Sequence, residues 1–334
     1  MFPGASGLPR IGIAHGDPGG IGPEIALKAA LSDEVRAICR PVLFGDPSAL
    51  ARHAAACGID APLHRVANAS AITWAEDAVP LVERELLAPG ELKLGEASAA
   101  HGRAALASAD AAIKAALAGE VEAVVAAPQS ETSIKLAGIE FDGYPTFVAR
   151  CTGTPPDDAF LMICFDRMRI AHTTLHVSMR RAIDLLTRER IHRAICATDA
   201  AVRRFGVARP HIAVSGLNPH AGEGGLFGAD EIERVAPAIE DARRDGVDAD
   251  GPYGADTMFH RSGYDAFVVM THDQGHITAK LLAPQRTAGV TIGTPVLFSS
   301  VAHGTAYDIA GKNLAKPDAL IEAIRRLAGV AVKS

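Results

Sequence analysis

Ile11-Gly12-Ile13-Ala14 is a short apolar run, and Gly16-Asp17-Pro18-Gly19-Gly20-Ile21-Gly22-Pro23-Glu24 follows it as a Gly/Pro-rich turn into a longer segment. That order reads as strand, tight loop, helix. The alternation recurs down the chain. Pro41–Phe44 reads as a second strand, and Ser98–Leu117 as an alanine-rich helix with Gly119 at its C-terminal end. Val121–Ala127 reads as a buried strand stopped by Pro128, and Phe160–Cys164 with Met168–Ala171 as a hairpin. Ser178 and Thr187 each stand where a helix cap is wanted. His211–Ser215, Ala266–Met270, Val290–Ile292 and Val296–Ser299 supply further strands. A helix through Ile232, Val235 and Ile239 carries an irregularity at Pro237, and Pro317–Leu327 closes the chain. Short apolar runs alternating with amphipathic ones are the α/β pattern.

The 334 residues suffice for two domains or one large α/β unit. Apolar residues at 48% and charged residues at 22% exclude wholesale disorder. A net charge of −6 without a long basic run argues against nucleic acid or a membrane surface as partner. No uninterrupted run of about 18 apolar residues exists, and Met1–Gly20 has no apolar core of a secretory signal. The five cysteines are widely spaced with no Cys-x-x-Cys pair. Reduced thiols and a cytoplasmic location are expected. No linker divides the chain, so a two-domain division has to be discontinuous: residues 1–128 with 296–334, and residues 129–295.

Three of the thirteen histidines follow strands: His176 after Ala171, His220 after Ser215 and His272 after Met270. Ligands of open α/β sheets bind at the carboxyl ends of strands, so these imidazoles can converge on a divalent metal with an open coordination position. Their wide spacings carry no motif, and polar loop residues are the alternative. His172 precedes His176 by four without a following Glu, so it is no His-Glu-x-x-His zinc helix and is assigned a structural role. The Gly16–Gly22 turn matches neither a dinucleotide fingerprint nor a P-loop. It reads equally as a tight loop, with Gly16 and Gly19 needed for space, or as backbone lining a cofactor cleft.

Val301-Ala302-His303-Gly304-Thr305-Ala306-Tyr307-Asp308-Ile309-Ala310-Gly311-Lys312-Asn313 is a more specific string. It resembles the adenosine-binding loop of the isocitrate and isopropylmalate dehydrogenase superfamily. With it stand, in order, Gly16-Asp17-Pro18, Asn218-Pro219-His220-Ala221-Gly222-Glu223-Gly224, Gly254-Ala255-Asp256-Thr257 and His272-Asp273-Gln274-Gly275. The combination resembles the 4-hydroxythreonine-4-phosphate dehydrogenase family from about Pro9 to Ala328. The resemblance implies two α/β/α domains with an interdomain cleft, and a homodimer with shared active sites. It also implies NAD and one divalent metal, with zinc expected, held by His176, His220 and His272, one of them from the neighbouring subunit. The second domain would carry these ligands and the dimer contacts. His303, Gly304, Thr305, Ala306, Asp308 and Asn313, with Gly16 and Gly19, fall on the cofactor side.

The chain also departs from the vitamin-pathway members of that family. Where they carry His-Lys after the proline ending the central strand, Pro128-Gln129 leads here to Ser130-Glu131. Gly143-Tyr144-Pro145-Thr146 replaces Gly-His-Thr-Glu, and Gly289 and Phe298 replace the Asn and Arg that grip phosphate. A phosphomonoester is best held by Arg forks, so an apolar ring argues against one. Glu131-Thr132-x-Ile134, Gly143-Tyr144-Pro145 and the run His272–Pro284 resemble the terephthalate cis-dihydrodiol dehydrogenase branch. The expected reaction is oxidative decarboxylation of 1,2-dihydroxy-3,5-cyclohexadiene-1,4-dicarboxylate to protocatechuate. A phosphorylated hydroxy acid such as 4-phosphohydroxythreonine is the alternative substrate, and a non-catalytic dinucleotide or metal sensor the alternative class. Lys280 is the candidate for proton transfer or carboxylate pairing, and Asp256 and Asp273 for orienting an imidazole or a hydroxyl. Ser130, Glu131, Tyr144 and Phe298 are candidate substrate contacts, and Arg286 and Lys135 candidate cations for a distal carboxylate.

Overall fold

The structure, a computed structural model, describes residues 7–74, 78–283, 287–301 and 303–329. Its elements begin with β1 (Arg10–Ala14), α1 (Gly22–Leu31), α2 (Asp33–Ile38), β2 (Arg40–Gly45), α3 (Pro47–Cys57), β3 (Leu63–Val66) and β4 (Val79–Glu83). There follow α4 (Ala99–Leu117), β5 (Ala123–Ala126), α5 (Glu131–Leu136), α6 (Tyr144–Thr152), β6 (Phe160–Phe165), β7 (Met168–His172), α7 (Met179–Leu185) and α8 (Arg188–Arg204). The chain continues with β8 (His211–Ser215), α9 (Ala236–Arg244), β9 (Asp248–Tyr253), β10 (Ala266–Val269), α10 (His272–Leu282), β11 (Ala288–Ile292), β12 (Phe298–Val301) and α11 (Asp318–Leu327). This is the α/β class expected. Two compact units result: Met1–Thr152 with Pro295–Ala331, and Gly153–Thr294. The first unit therefore runs past Pro128, because α5 and α6 pack on α4 and share its apolar core through Ile134, Tyr144, Phe147 and Val148.

In the first unit six strands lie in the order β3-β4-β2-β1-β5-β12, all parallel. Such strands are buried on both faces, and β1 and β5 are accordingly buried almost throughout. The Asp46 carboxylate caps α3 by accepting from the Ser48 and Ala49 N–H groups. Ser98 caps α4 as its position suggests, with its hydroxyl accepting from the His101 N–H.

In the second unit the order is β11-β6-β7-β10-β8-β9. β6 and β7 form the antiparallel hairpin expected, turning at Asp166-Arg167, and β7, β10, β8 and β9 run parallel. Ser178 and Thr187 cap α7 and α8. A five-residue π turn over Glu231–Val235 precedes α9, the irregularity that Pro237 signals. Ile163, Phe165, Ile170, Phe267, Val269 and Ala279 form a core that seats α10 on the sheet.

Candidate functional site

β7, β10 and β8 are adjacent and parallel, so the segments that follow them leave one edge of the second unit's sheet. Those segments carry His176, His272 and His220. The start of α10 is fixed by Gln274, whose Oε1 accepts from the Met270 and Thr271 N–H groups at 2.9 and 3.0 Å. Its Nε2 donates to the Gly216 carbonyl at 3.0 Å, tying α10 to the segment after β8. Gly275 lets the helix sit directly on His172: a Cβ there would stand 2.3 Å from His172 Nε2.

Four histidines cluster here. The rings of His272 and His276 stack at 3.7 Å, and His176 lies 5.7 Å from His272. His172 Nδ1 faces the Leu161 carbonyl at 3.2 Å, so it carries the proton and Nε2 accepts. His276 Nδ1, 3.1 Å from that Nε2, is then the donor, and its own Nε2 keeps a lone pair. Burial, reinforced by the neighbouring imidazoles, lowers His172 to about 3 and His276 to about 4, so both are neutral near pH 7. His172 is a buried support, as assigned from sequence; His276 is a member of the cluster that strand-end spacing does not single out. Asp273 Oδ1 stands 2.7 Å from His272 Nδ1, which donates to it and leaves His272 Nε2 free to bind a cation. Lys280 is exposed two helical turns beyond His272, on the same side of α10 as His272 and His276.

His220 sits in a left-handed run: His220, Ala221, Gly222, Glu223 and Gly224 all have positive φ. Glu231, buried, organises that run. Its Oε1 accepts from the Leu217 and Asn218 N–H groups at 2.8 and 2.7 Å, and its Oε2 from Asn218 Nδ2 at 3.0 Å. Sequence spacing offered no signal for this residue. His220 is exposed, with Nδ1 3.4 Å from Glu223 Oε2. Asp256 is exposed nearby: the Cβ position of Gly254 would lie 2.7 Å from Asp256 Oδ1 and 3.7 Å from His220 Cα. The donor atoms of His176, His220 and His272 do not all lie within 4.8 Å of one another in one chain; among the described residues His192, Cys196 and Asp245 alone meet that limit. The donor set nonetheless suits a divalent ion. The His176 and His272 rings stand 5.7 Å apart, imidazole nitrogen is a usual ligand of such an ion, and His272 is oriented by a carboxylate.

In the first unit the two strings read as cofactor segments meet each other. The Ile21 N–H donates to the Thr305 carbonyl at 2.8 Å, and the Tyr307 hydroxyl donates to Asp17 Oδ2 at 2.8 Å. Ser133 Oγ lies 2.8 Å from the same hydroxyl, and Ser130 Oγ caps α5 at the Ser133 N–H. Gly16 and Gly19 are closed off by protein. A Cβ would meet the Pro128 carbonyl oxygen at 2.4 Å in the one case and His101 Nδ1 at 2.4 Å in the other. Close packing requires glycine at both positions. His303, Gly304, Asp308 and Asn313 are exposed, Ala306 has a left-handed φ of 42°, and Thr305 is buried.

Tyr144 and Phe298 do not line an open pocket. Their rings lie 4.6 Å apart inside the apolar core, both buried, and the Tyr144 hydroxyl has no partner. Burial raises that phenol's pKa. Glu131 and Lys135 are exposed on α5, Gly289 lies in β11, and Arg286 is outside the described residues.

An α/β chain with histidines in the segments that follow parallel strands has relatives that are dehydrogenases, which makes it an oxidoreductase. It belongs to the family described as pyridoxal phosphate biosynthetic protein PdxA, whose model matches residues 37–327. It is 41% identical to a 1,2-dihydroxy-3,5-cyclohexadiene-1,4-dicarboxylate dehydrogenase of Comamonas sp over 95% of this chain and 96% of that one. It is 40% identical to a protein named "Putative D-threonate 4-phosphate dehydrogenase" of Symbiobacterium thermophilum over 95% of each. A terephthalate 1,2-cis-dihydrodiol dehydrogenase structure from Burkholderia xenovorans LB400 matches at TM-score 0.74 and 41% identity, covering 98% of this chain and 100% of that one. A 4-hydroxythreonine-4-phosphate dehydrogenase structure from Burkholderia phymatum matches at TM-score 0.86 and 34% identity, covering 98% and 99%.

Proposed function

We propose that this chain is a metal-dependent, NAD-linked dehydrogenase that oxidises and decarboxylates a cis-dihydrodiol carboxylate, 1,2-dihydroxy-3,5-cyclohexadiene-1,4-dicarboxylate, to protocatechuate and carbon dioxide. The observation that carries the choice of substrate is the Tyr144–Phe298 stack. The resemblance puts a phosphate-gripping Arg at position 298, and here that position holds a fully buried ring. A core phenylalanine offers a phosphomonoester neither charge nor donor. The 41% identity to the cyclohexadiene dicarboxylate enzyme supports the same choice.

His176, His220 and His272 are the proposed holders of the divalent ion, zinc being the metal expected, and Asp273 fixes the tautomer of His272. Such an ion supplies Lewis acidity, lowering the pKa of the substrate alcohol and polarising the ketone that follows. Lys280 is the proposed residue for holding a proton or pairing the departing carboxylate, with Asp256 placed to orient His220 or a substrate hydroxyl. The segment His303–Asn313, with His303, Gly304, Asp308 and Asn313 exposed, is the proposed dinucleotide side. The working form is a homodimer with shared sites. Val177 beside His176, Phe227 edge-on to His220, and Ile277, Leu281 and Leu282 on α10 are all exposed apolar side chains flanking the histidines.

A second reading is favoured by the 40% identity to the "Putative D-threonate 4-phosphate dehydrogenase": a phosphorylated hydroxy acid in place of the ring. NADH formation from the dihydrodiol dicarboxylate, from 4-phosphohydroxythreonine and from D-threonate 4-phosphate, each with and without zinc, separates the two. Turnover of the dihydrodiol alone, dependent on metal, is expected. Efficient oxidation of either phosphate ester with none of the dihydrodiol overturns the proposal.

A further inference from the structure

We propose that His192, Cys196 and Asp245 form a second divalent-metal site, suited to zinc, on the second unit and separate from the strand-end histidines. α8 presents His192 and Cys196 four residues apart, which puts their side chains one above the other on one face. Asp245 is the residue that ends α9, and α9 packs on α8. His192 Nε2 stands 2.8 Å from Asp245 Oδ2 and 3.4 Å from Cys196 Sγ, and the three donor atoms all lie within 4.8 Å of one another.

The geometry separates a chelate from two simpler accounts. Arg188 of α8 pairs with Asp241 of α9 at 2.5 and 2.7 Å, and His192 and Asp245 lie four residues further along each helix. A second rung of that ladder would explain the imidazole–carboxylate pair, but it gives no reason for a thiol at the same nitrogen. A thiol–imidazole–carboxylate relay requires the carboxylate on the other ring nitrogen, opposite the thiol. Here sulfur and carboxylate both face Nε2. Sulfur, nitrogen and oxygen donors within 4.8 Å of one another are what a cation needs. Tetrahedral zinc, with bonds of about 2.3 Å to sulfur and about 2.0–2.2 Å to nitrogen and oxygen, sets its donors roughly 3–4 Å apart. Sulfur, imidazole and carboxylate together match zinc or its cobalt surrogate rather than magnesium or calcium. Asp245 is exposed and the other two half-buried, which leaves an entry path and room for water as the fourth ligand. On binding, the thiol releases one proton to solvent and the imidazole proton moves to Nδ1, so both ligand atoms present lone pairs.

The test is a cobalt titration of metal-stripped full-length protein carrying His176→Ala and His272→Ala. The strand-end site offers no sulfur, so a thiolate-to-cobalt charge-transfer absorption reports Cys196 and not that site. One band per chain is expected, displaced by zinc, absent in the added Cys196→Ser variant, and formed with at least about tenfold weaker affinity in Asp245→Asn. Unsubstituted protein gives a second reading. Zinc should slow alkylation of Cys196 at least about tenfold while leaving Cys151, the other half-buried thiol, unchanged. The absence of a band, an equal band in Cys196→Ser, or zinc-independent alkylation of Cys196 would each overturn the site.

Discussion

Two neighbouring residues, His272 and Asp273, show how one carboxylate decides what an imidazole can do. With Nδ1 committed to Asp273 at 2.7 Å, only Nε2 is left to face a ligand. Asp273→Ala frees the ring to turn. Metal affinity should fall about 10–100-fold, read by competition with a chelating dye, while the melting curve of the metal-free protein stays put. An unchanged affinity would show that Asp273 orients nothing. His15 illustrates the opposite case, an imidazole kept neutral. It is fully buried, its Nδ1 faces the Gly16 carbonyl at 2.7 Å, its Nε2 has no partner, and burial lowers it to about 4. Its folded pKa lies below the usual 6.5 or so, so between those values the unfolded chain binds the extra proton and stability falls as pH falls. His15→Gln removes that contribution. Denaturant titrations should show the stability gap between wild type and His15→Gln shrinking by roughly 3 kcal/mol from pH 7 to pH 4. A gap independent of pH would refute a neutral buried His15.

At the scale of elements, strands and caps were the legible part. The runs 11–14, 41–44, 160–164, 168–171 and 211–215 all lie in strands, because a buried strand is written as consecutive apolar residues. β9, Asp248–Tyr253, left no such trace: it is polar and, among the described residues, pairs with β8 alone at the sheet's edge. α10 was visible as a string of histidines and not as a helix, since its exposed Ile277, Leu281 and Leu282 blur the apolar stripe. The candidate site was legible where a residue type advertises itself and not where backbone closure does the work. Nothing local in Glu231 shows that it will collect two N–H groups and a side-chain amide from residues 13 and 14 positions away. Glu231→Ala leaves those amides without their acceptor, at a cost of about 1–3 kcal/mol, and releases the left-handed run that carries His220. Metal affinity should drop with every histidine still present, and Glu231→Gln should restore much of the stability. If thermal melts and metal titrations of Glu231→Ala match wild type, the carboxylate does not hold the loop.

For the whole molecule, the question is where the third imidazole comes from. His176 and His272 face each other within one chain at 5.7 Å, while His220 is exposed on the edge-on face of Phe227. Exposed Leu226, Phe227, Ile277 and Leu281 are large apolar side chains that a monomer gains nothing by showing to water. In the proposed homodimer a second copy covers them, and one subunit's His220 completes the other's His176–His272 pair. That arrangement has a signature in subunit mixing. A His220→Ala subunit keeps its own pair and borrows a sound His220 from a His272→Ala partner, so one of the two sites in the hybrid is complete and activity returns, to at most about half per hybrid dimer. Mixing His176→Ala with His272→Ala breaks the pair in both subunits, and no recovery is expected. Leu281→Asp, placing a charge in the covered face, should lower the mass by light scattering to that of a monomer and abolish activity together with it. Recovery in the second mixture but not the first would assign the borrowed ligand to His176 instead, recovery in both would assign it to His272, and an active Leu281→Asp monomer would show that each chain completes its own site.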